Sequence, residues 1–154
     1  MLTAEHLIIG RVALQTEGGL ITRLFLPCEA PPVPAAQADP LAEETFRPLI
    51  EYLAGQRRTF DLPLAPPGGT PLQRRIMERL SAIPYGRTVT YSSLGPARLV
   101  GHLCATNPLP LLRPCHRVIP VKNPPGNYRG GAGLKQFLLT LEQSNCAPAA
   151  VTQM

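Results

Sequence analysis

The sequence predicts two small domains: an antiparallel sheet with one helix, followed by a mostly helical second half. Three observations carry this expectation. Between Leu7 and Leu26, two runs rich in Ile, Val, Leu and Thr flank Glu17-Gly18-Gly19, the pattern of a β-hairpin. Later stretches repeat apolar residues at helical spacing instead. Between the two regimes, Pro66-Pro67-Gly68-Gly69 favours a turn over either regular structure, which places the domains at residues 1–66 and 70–154. At 154 residues and 44% apolar, the chain can fill one ordinary core or two small ones.

The strands are expected at Leu7–Leu14 and Gly19–Leu26. Residues 29–40 hold four prolines and no apolar period, so they read as a surface loop. From Leu41 to Leu53, Phe46, Leu49, Ile50 and Leu53 recur on one helical face, with Gly55 as a stop. Phe60–Leu64 is a short strand-like piece. Thr70 suits a helix N-cap with Pro71 at the first position, and Ile76, Leu80 and Ile83 form a stripe that ends at Pro84-Tyr85-Gly86. A short segment, Thr88–Tyr91 with Leu94, then leads into Pro96–Ala105, where Leu99, Val100 and Leu103 are apolar. Two short helices with a tight connection suggest a shortened helix-turn-helix. A Gly-rich loop, Pro124–Gly133, precedes a closing helix over Leu134–Gln143, which places Glu142 one turn beyond Leu138 and Leu139.

Composition narrows the class. Lys+Arg 15 against Asp+Glu 10 gives a net charge of +5, compatible with a nucleic-acid partner without being diagnostic of one. Neither a bilayer-spanning apolar run nor a charged-then-apolar leader is present, so a cytoplasmic protein without a membrane partner is expected. The cysteines Cys28, Cys104, Cys115 and Cys146 form no CxxC pair, so neither a metal site nor a disulfide framework is signalled. No glycine fingerprint for a nucleotide cofactor is found, and no cofactor is expected.

The chemistry concentrates in Asn107–Pro120, NPLPLLRPCHRVIP. Four prolines fix their own φ angles and restrict the residues before them, so the segment is expected to be extended and turned rather than helical. Cys115 stands there beside His116. A free thiol is only a few per cent thiolate at neutral pH, so a nucleophilic cysteine needs a base and a fixed position. Neighbours on an extended strand point to opposite faces, so either the backbone turns at Cys115 or a water links the two side chains. Alone, the pair reads as an ordinary structural thiol.

The wider pattern is more specific. PCHRVI at Pro114–Ile119, preceded by NPLP and followed by GNYRGG and LLTLE, resembles the O6-alkylguanine-DNA alkyltransferase family. EYLAGQRRTFDLPL and IPYGRTVTY extend the likeness over about Ile9 to Glu142. The resemblance implies an RNase H-like α/β first domain and a helical second domain that enters the DNA minor groove through a helix-turn-helix. By matching position, Cys115 is the alkyl acceptor, His116 its base, Glu142 the carboxylate that orients the histidine, and Asn107 the brace of the site. Tyr91 lies near the phosphate of a flipped nucleotide, while Pro110, the Val118 carbonyl, Tyr128 and Arg129 line the guanine pocket. Arg98 fills the gap left in the stack, and Gly101 lets its helix approach the groove closely. Arg113 stands where the family usually has an apolar residue; it is expected to reach solvent, or else to contact phosphate or favour the thiolate.

The implied partner is double-stranded DNA containing alkylated guanine, bound by a monomer, nucleoid-associated in a prokaryote. O4-alkylthymine is a second implied substrate. The damaged base donates the alkyl group, so no cofactor is implied, and a thioether leaves poorly, so each molecule should act once. Two further departures from the family pattern stand out. Tyr91 and Arg98 are only seven residues apart (98 − 91 = 7), and Met77 replaces an aromatic residue. The alternatives are a lesion-binding relative, which would lack the acceptor cysteine, a protein acting weakly on duplex, or a cysteine hydrolase that turns over.

Overall fold

Gly18 and Gly19, at φ 59° and 80°, carry the chain through a tight hairpin that a residue with a side chain would enter only with strain. The hairpin joins β2 (Gly10–Glu17) to β3 (Leu20–Phe25), and β1 (Leu2–His6) adds on the other side of β2 in an antiparallel sheet of order β1-β2-β3. The computed structural model describes residues 2–6, 10–26 and 40–152. The expected loop therefore lies outside the described residues up to position 39, and Pro40 already begins a helix.

The chain divides into two compact units. The first comprises Met1–Pro66 with Pro108–Pro110, the second Pro67–Asn107 with Leu111–Met154. In the first, α1 (Pro40–Leu53) packs against β1 and β2 and buries Leu49, Tyr52 and Leu53. Gly55 follows at φ 79°, with its N–H donating to the Tyr52 carbonyl. Two features differ from expectation. The first strand comes as an addition, the described part of the next runs over Gly10–Glu17, and the expected start at Leu7 lies outside the described residues. The strand expected at Phe60–Leu64 shrinks to one bridge between Leu64 and Ile21, because Pro63, Pro66 and Pro67 have no N–H to give a ladder.

The second unit is mostly helical. Thr70 caps α2 (Pro71–Ser81) in a reciprocal box with Gln73: the Thr70 hydroxyl accepts from the Gln73 N–H, and the Gln73 side chain accepts from the Thr70 N–H. Then come β4 (Val89–Thr90), α3 (Tyr91–Leu94), α4 (Ala97–Ala105), a 3₁₀ turn (Cys115–Arg117), β5 (Val118–Ile119) and α5 (Ala132–Thr152). Strands β4 and β5 pair in parallel, Val89 with Val118 and Thr90 with Ile119. The core gathers Ile76, Met77, Leu80, Ile83, Leu94, Val100, Cys115 and Val118, so Met77 fills an interior place where its flexible thioether suits irregular space. The closing helix runs well past Gln143, to Thr152. Among the described residues, no helix is long and apolar enough to cross a membrane.

Candidate active site

The proline-bounded segment turns at the cysteine. Cys115, His116 and Arg117 form one 3₁₀ turn, so of the two expected alternatives it is the backbone that turns at Cys115. The Cys115 N–H donates to the Arg113 carbonyl at 2.7 Å, and Asn107 Nδ2 donates to the same oxygen at 3.1 Å. Asn107 also lies close enough to the thiol to favour its ionised form, lowering its pKa. All three residues of the turn are buried, as are Asn107 and Glu142.

From α5, Glu142 reaches the turn. His116 Nε2 lies 2.7 Å from Glu142 Oε2. Arg117 Nε and Nη2 donate to the two carboxylate oxygens at 2.8 and 3.0 Å, the Gly86 N–H donates to Oε1 at 3.2 Å, and Arg117 Nη1 donates to the Ile83 carbonyl. Burial would raise the Glu142 pKa, but the hydrogen bonds from His116 and Arg117 outweigh it and hold the carboxyl at about 2. An ionised carboxylate only accepts, so Nε2 carries the imidazole proton and Nδ1 is the ring's acceptor nitrogen. Burial pushes the Cys115 thiol up, against Asn107 and the charges of Lys135 and Arg129. Burial likewise lowers His116, against Glu142. The resting site thus pairs a thiol with a neutral imidazole, beside a carboxylate whose charge is matched by Arg117.

A cavity of about 700 Å³ reaches Cys115. Its lining includes Cys115, Tyr91, Arg98, Gly101, Tyr128 and Arg129, which brings six of the expected site residues to one space. A Cβ on Gly101 would meet nothing within 4 Å, so this face of α4 is open. Cys104 lines the same cavity, its thiol pushed up to about 12 by burial and by the neighbouring Cys115. Three other expected residues are not among this lining. Pro110 groups with the first unit and is not among the lining residues. The Val118 carbonyl accepts from Lys135 Nζ at 2.8 Å, so one of its two lone pairs is already used. Arg113 was expected at the surface; it is 7% exposed, does not line the cavity, and its burial lowers its pKa.

Sequence reasoning passed over two residues. Arg117 stands inside the motif but reads as a solvated cation until Glu142 is seen beside it. Lys135 is 1% exposed, and its Nζ also donates to the Asn127 carbonyl at 3.2 Å and lies 3.5 Å from Tyr91 Oη. A lysine at the start of a helix after a Gly-rich loop carries no local sign of such burial. Among the described residues, no group of three His, Cys, Asp or Glu side chains could hold a metal ion.

Comparison with known proteins gives the same picture. The family described as "6-O-methylguanine DNA methyltransferase, DNA binding domain" matches residues 71–144. The constitutive methylated-DNA–protein-cysteine methyltransferase of Bacillus subtilis (strain 168) is 35% identical over 156 residues, covering 92% of this chain and 94% of that protein. A DNA base-flipping protein of Thermus thermophilus is 43% identical over 97 residues, 59% of this chain and 66% of that one. A crystal structure of Mycobacterium tuberculosis OGT in complex with DNA superposes with a TM-score of 0.82 at 31% identity, covering 93% of this chain and 92% of that chain. Identity of this extent, over nearly the full length of a relative, establishes that the chain belongs to the methylated-DNA–protein-cysteine methyltransferase family.

Proposed function

We propose that the protein repairs DNA by moving an alkyl group from the O6 atom of guanine to the Sγ of Cys115, once per molecule. The observation that carries this reading is a buried thiol at a cavity large enough for a nucleobase, within one turn of a histidine locked to an ionised carboxylate. The alkylated nucleotide leaves the stack and enters the cavity, where the Arg98 side chain supports the opened duplex. His116 Nδ1 takes the thiol proton as the sulfur attacks the alkyl carbon. The carbon–oxygen bond breaks with its electron pair on the base, and a proton returned through the site to the ring leaves ordinary guanine. Glu142 stabilises the imidazolium that forms. The product is a thioether, and no group in the cavity is arranged to cleave it.

Helices α3 and α4 serve as the shortened helix-turn-helix that meets the minor groove, and Tyr91 works beside the flipped nucleotide. The first unit is an RNase H-like domain. The protein acts as a monomer on double-stranded DNA in the cytoplasm, with O4-alkylthymine as a second substrate. Arg113, being buried, supports the turn under Cys115 rather than touching phosphate. The name of the Thermus relative motivates a second reading, a module that flips bases without chemistry. An oligonucleotide carrying radiolabelled O6-methylguanine separates the two. Label should pass to the protein and plateau at one equivalent, with none on Cys115→Ala; tight binding with no transfer would favour the second reading.

A further inference from the structure

The connection between Tyr91 and Arg98 is short, and its helix is too small to hold itself. A four-residue helix satisfies almost none of its own backbone groups, and an isolated turn does not persist in water. Neither α3 nor α4 has a side-chain cap at its N-terminus, and only Gly95 and Pro96 lie between them.

The missing support comes from α2. Arg79 Nη1 donates to the Leu94 carbonyl at 3.1 Å, and Nη2 donates to the Ser93 carbonyl at 3.0 Å. One guanidinium thus holds the last two carbonyls of α3. Three residues earlier on the same helix, Ile76 packs against Gly95 so closely that a Cβ there would sit 3.0 Å from Ile76 Cδ1. Leu94 and Val100 join Ile76 in the core. The turn is therefore pinned from one side at consecutive residues, by a fork above and an apolar contact below. Arg79 is not among the residues lining the cavity, and it has no contact in the His116–Glu142–Arg117 network.

We infer that Arg79 is a positioning residue for duplex DNA, its guanidinium replacing helix length so that Tyr91 and Arg98 meet the DNA in a fixed relation. The inference rests on the reading of those two residues as DNA contacts. The planar fork matters as well as the charge. Two adjacent carbonyls match two guanidinium nitrogens, whereas a lysine ammonium on its flexible stem makes a single-point contact.

The test compares wild type, Arg79→Met and Arg79→Lys in three measurements: single-turnover methyl transfer from duplex O6-methylguanine, transfer from the free O6-methylguanine base, and the salt dependence of duplex binding. Losing two charge-assisted hydrogen bonds from the brace should slow duplex transfer by Arg79→Met about tenfold. Transfer from free base should stay within about twofold, because the Cys115 site is untouched. Arg79→Lys should recover only part of the loss. The slope of log affinity against log salt should hold, because a residue that touches phosphate itself would reduce its magnitude by about 0.9. Unchanged duplex transfer, equal losses on duplex and free base, or a salt slope reduced by one contact would each overturn the inference. A wild type that takes no methyl from either substrate would overturn the alkyl-transfer reading itself and this inference with it.

Discussion

Glu142 accepts from three partners, His116, Arg117 and the Gly86 N–H, and this explains why a carboxylate is tolerated at 1% exposure. Removing the clamp while keeping its volume, as in Arg117→Met, should destabilise the fold by roughly 3–5 kcal/mol, the usual cost of leaving a buried charge without its partner. Chemical denaturation reads this directly, and transfer should slow as well. Because the folded pKa of about 2 lies below the ordinary carboxylate value, Glu142 stabilises the fold above that ordinary value and ceases to do so as pH falls toward 2. The stability gap between wild type and Glu142→Gln should therefore be full near neutrality and close through the acid range. For transfer itself, His116 is lowered by burial, so it should keep accepting the thiol proton below the usual histidine pKa of about 6.5. A pH–rate profile that fell already near pH 7 would contradict this assignment. At this scale the sequence was most informative about Cys115, His116, Asn107 and Glu142, which sit in or near a specific motif. It was silent on Arg117 and Lys135, because what buries a cation is the set of carbonyls and carboxylates that tertiary folding brings to it.

Among the elements, helices with strong local chemistry were the most legible. Thr70, Pro71 and Gln73 define the start of α2 within four residues, and the apolar stripe does the rest. The two-residue strands β4 and β5 could not be read in advance, since each pairs with the other across nearly thirty residues of chain (118 − 89 = 29). The loop that closes the cavity depends on a backbone conformation. Gly126 has φ 84°, and a Cβ there would lie 2.7 Å from Pro120 Cδ, part of a ring that cannot turn aside. Gly126→Ala should therefore cost about 1–3 kcal/mol and slow transfer by displacing the 120–127 wall. Thermal unfolding together with single-turnover rates would check both. On α4, Arg98→Ala should slow duplex repair far more than transfer from free base. Equal losses would show that Arg98 does not act through DNA.

For the whole molecule, a net charge of +5 allows a nucleic-acid partner but does not identify one; the match to a DNA-binding domain family and the likeness to a DNA-bound relative are what support DNA. The order of an α/β part before a helical part followed from a change of apolar period at Pro66–Gly69. The return of Pro108–Pro110 to the first unit could not be foreseen, because it depends on Leu24 donating its N–H to the Pro108 carbonyl over a long sequence separation. Duplex binding should weaken linearly in log affinity against log salt, as phosphate contacts require. The central claim is that one particular thiol ends the reaction. Cys104 lines the same cavity, but burial and the nearby Cys115 keep it protonated at about 12, so it should take no part. Peptide-level mass spectrometry after reaction with excess O6-methylguanine duplex tests this most directly. The account predicts a single methyl group per protein, on the peptide containing Cys115; a methyl on Cys104, or product continuing to form beyond one equivalent, would contradict it.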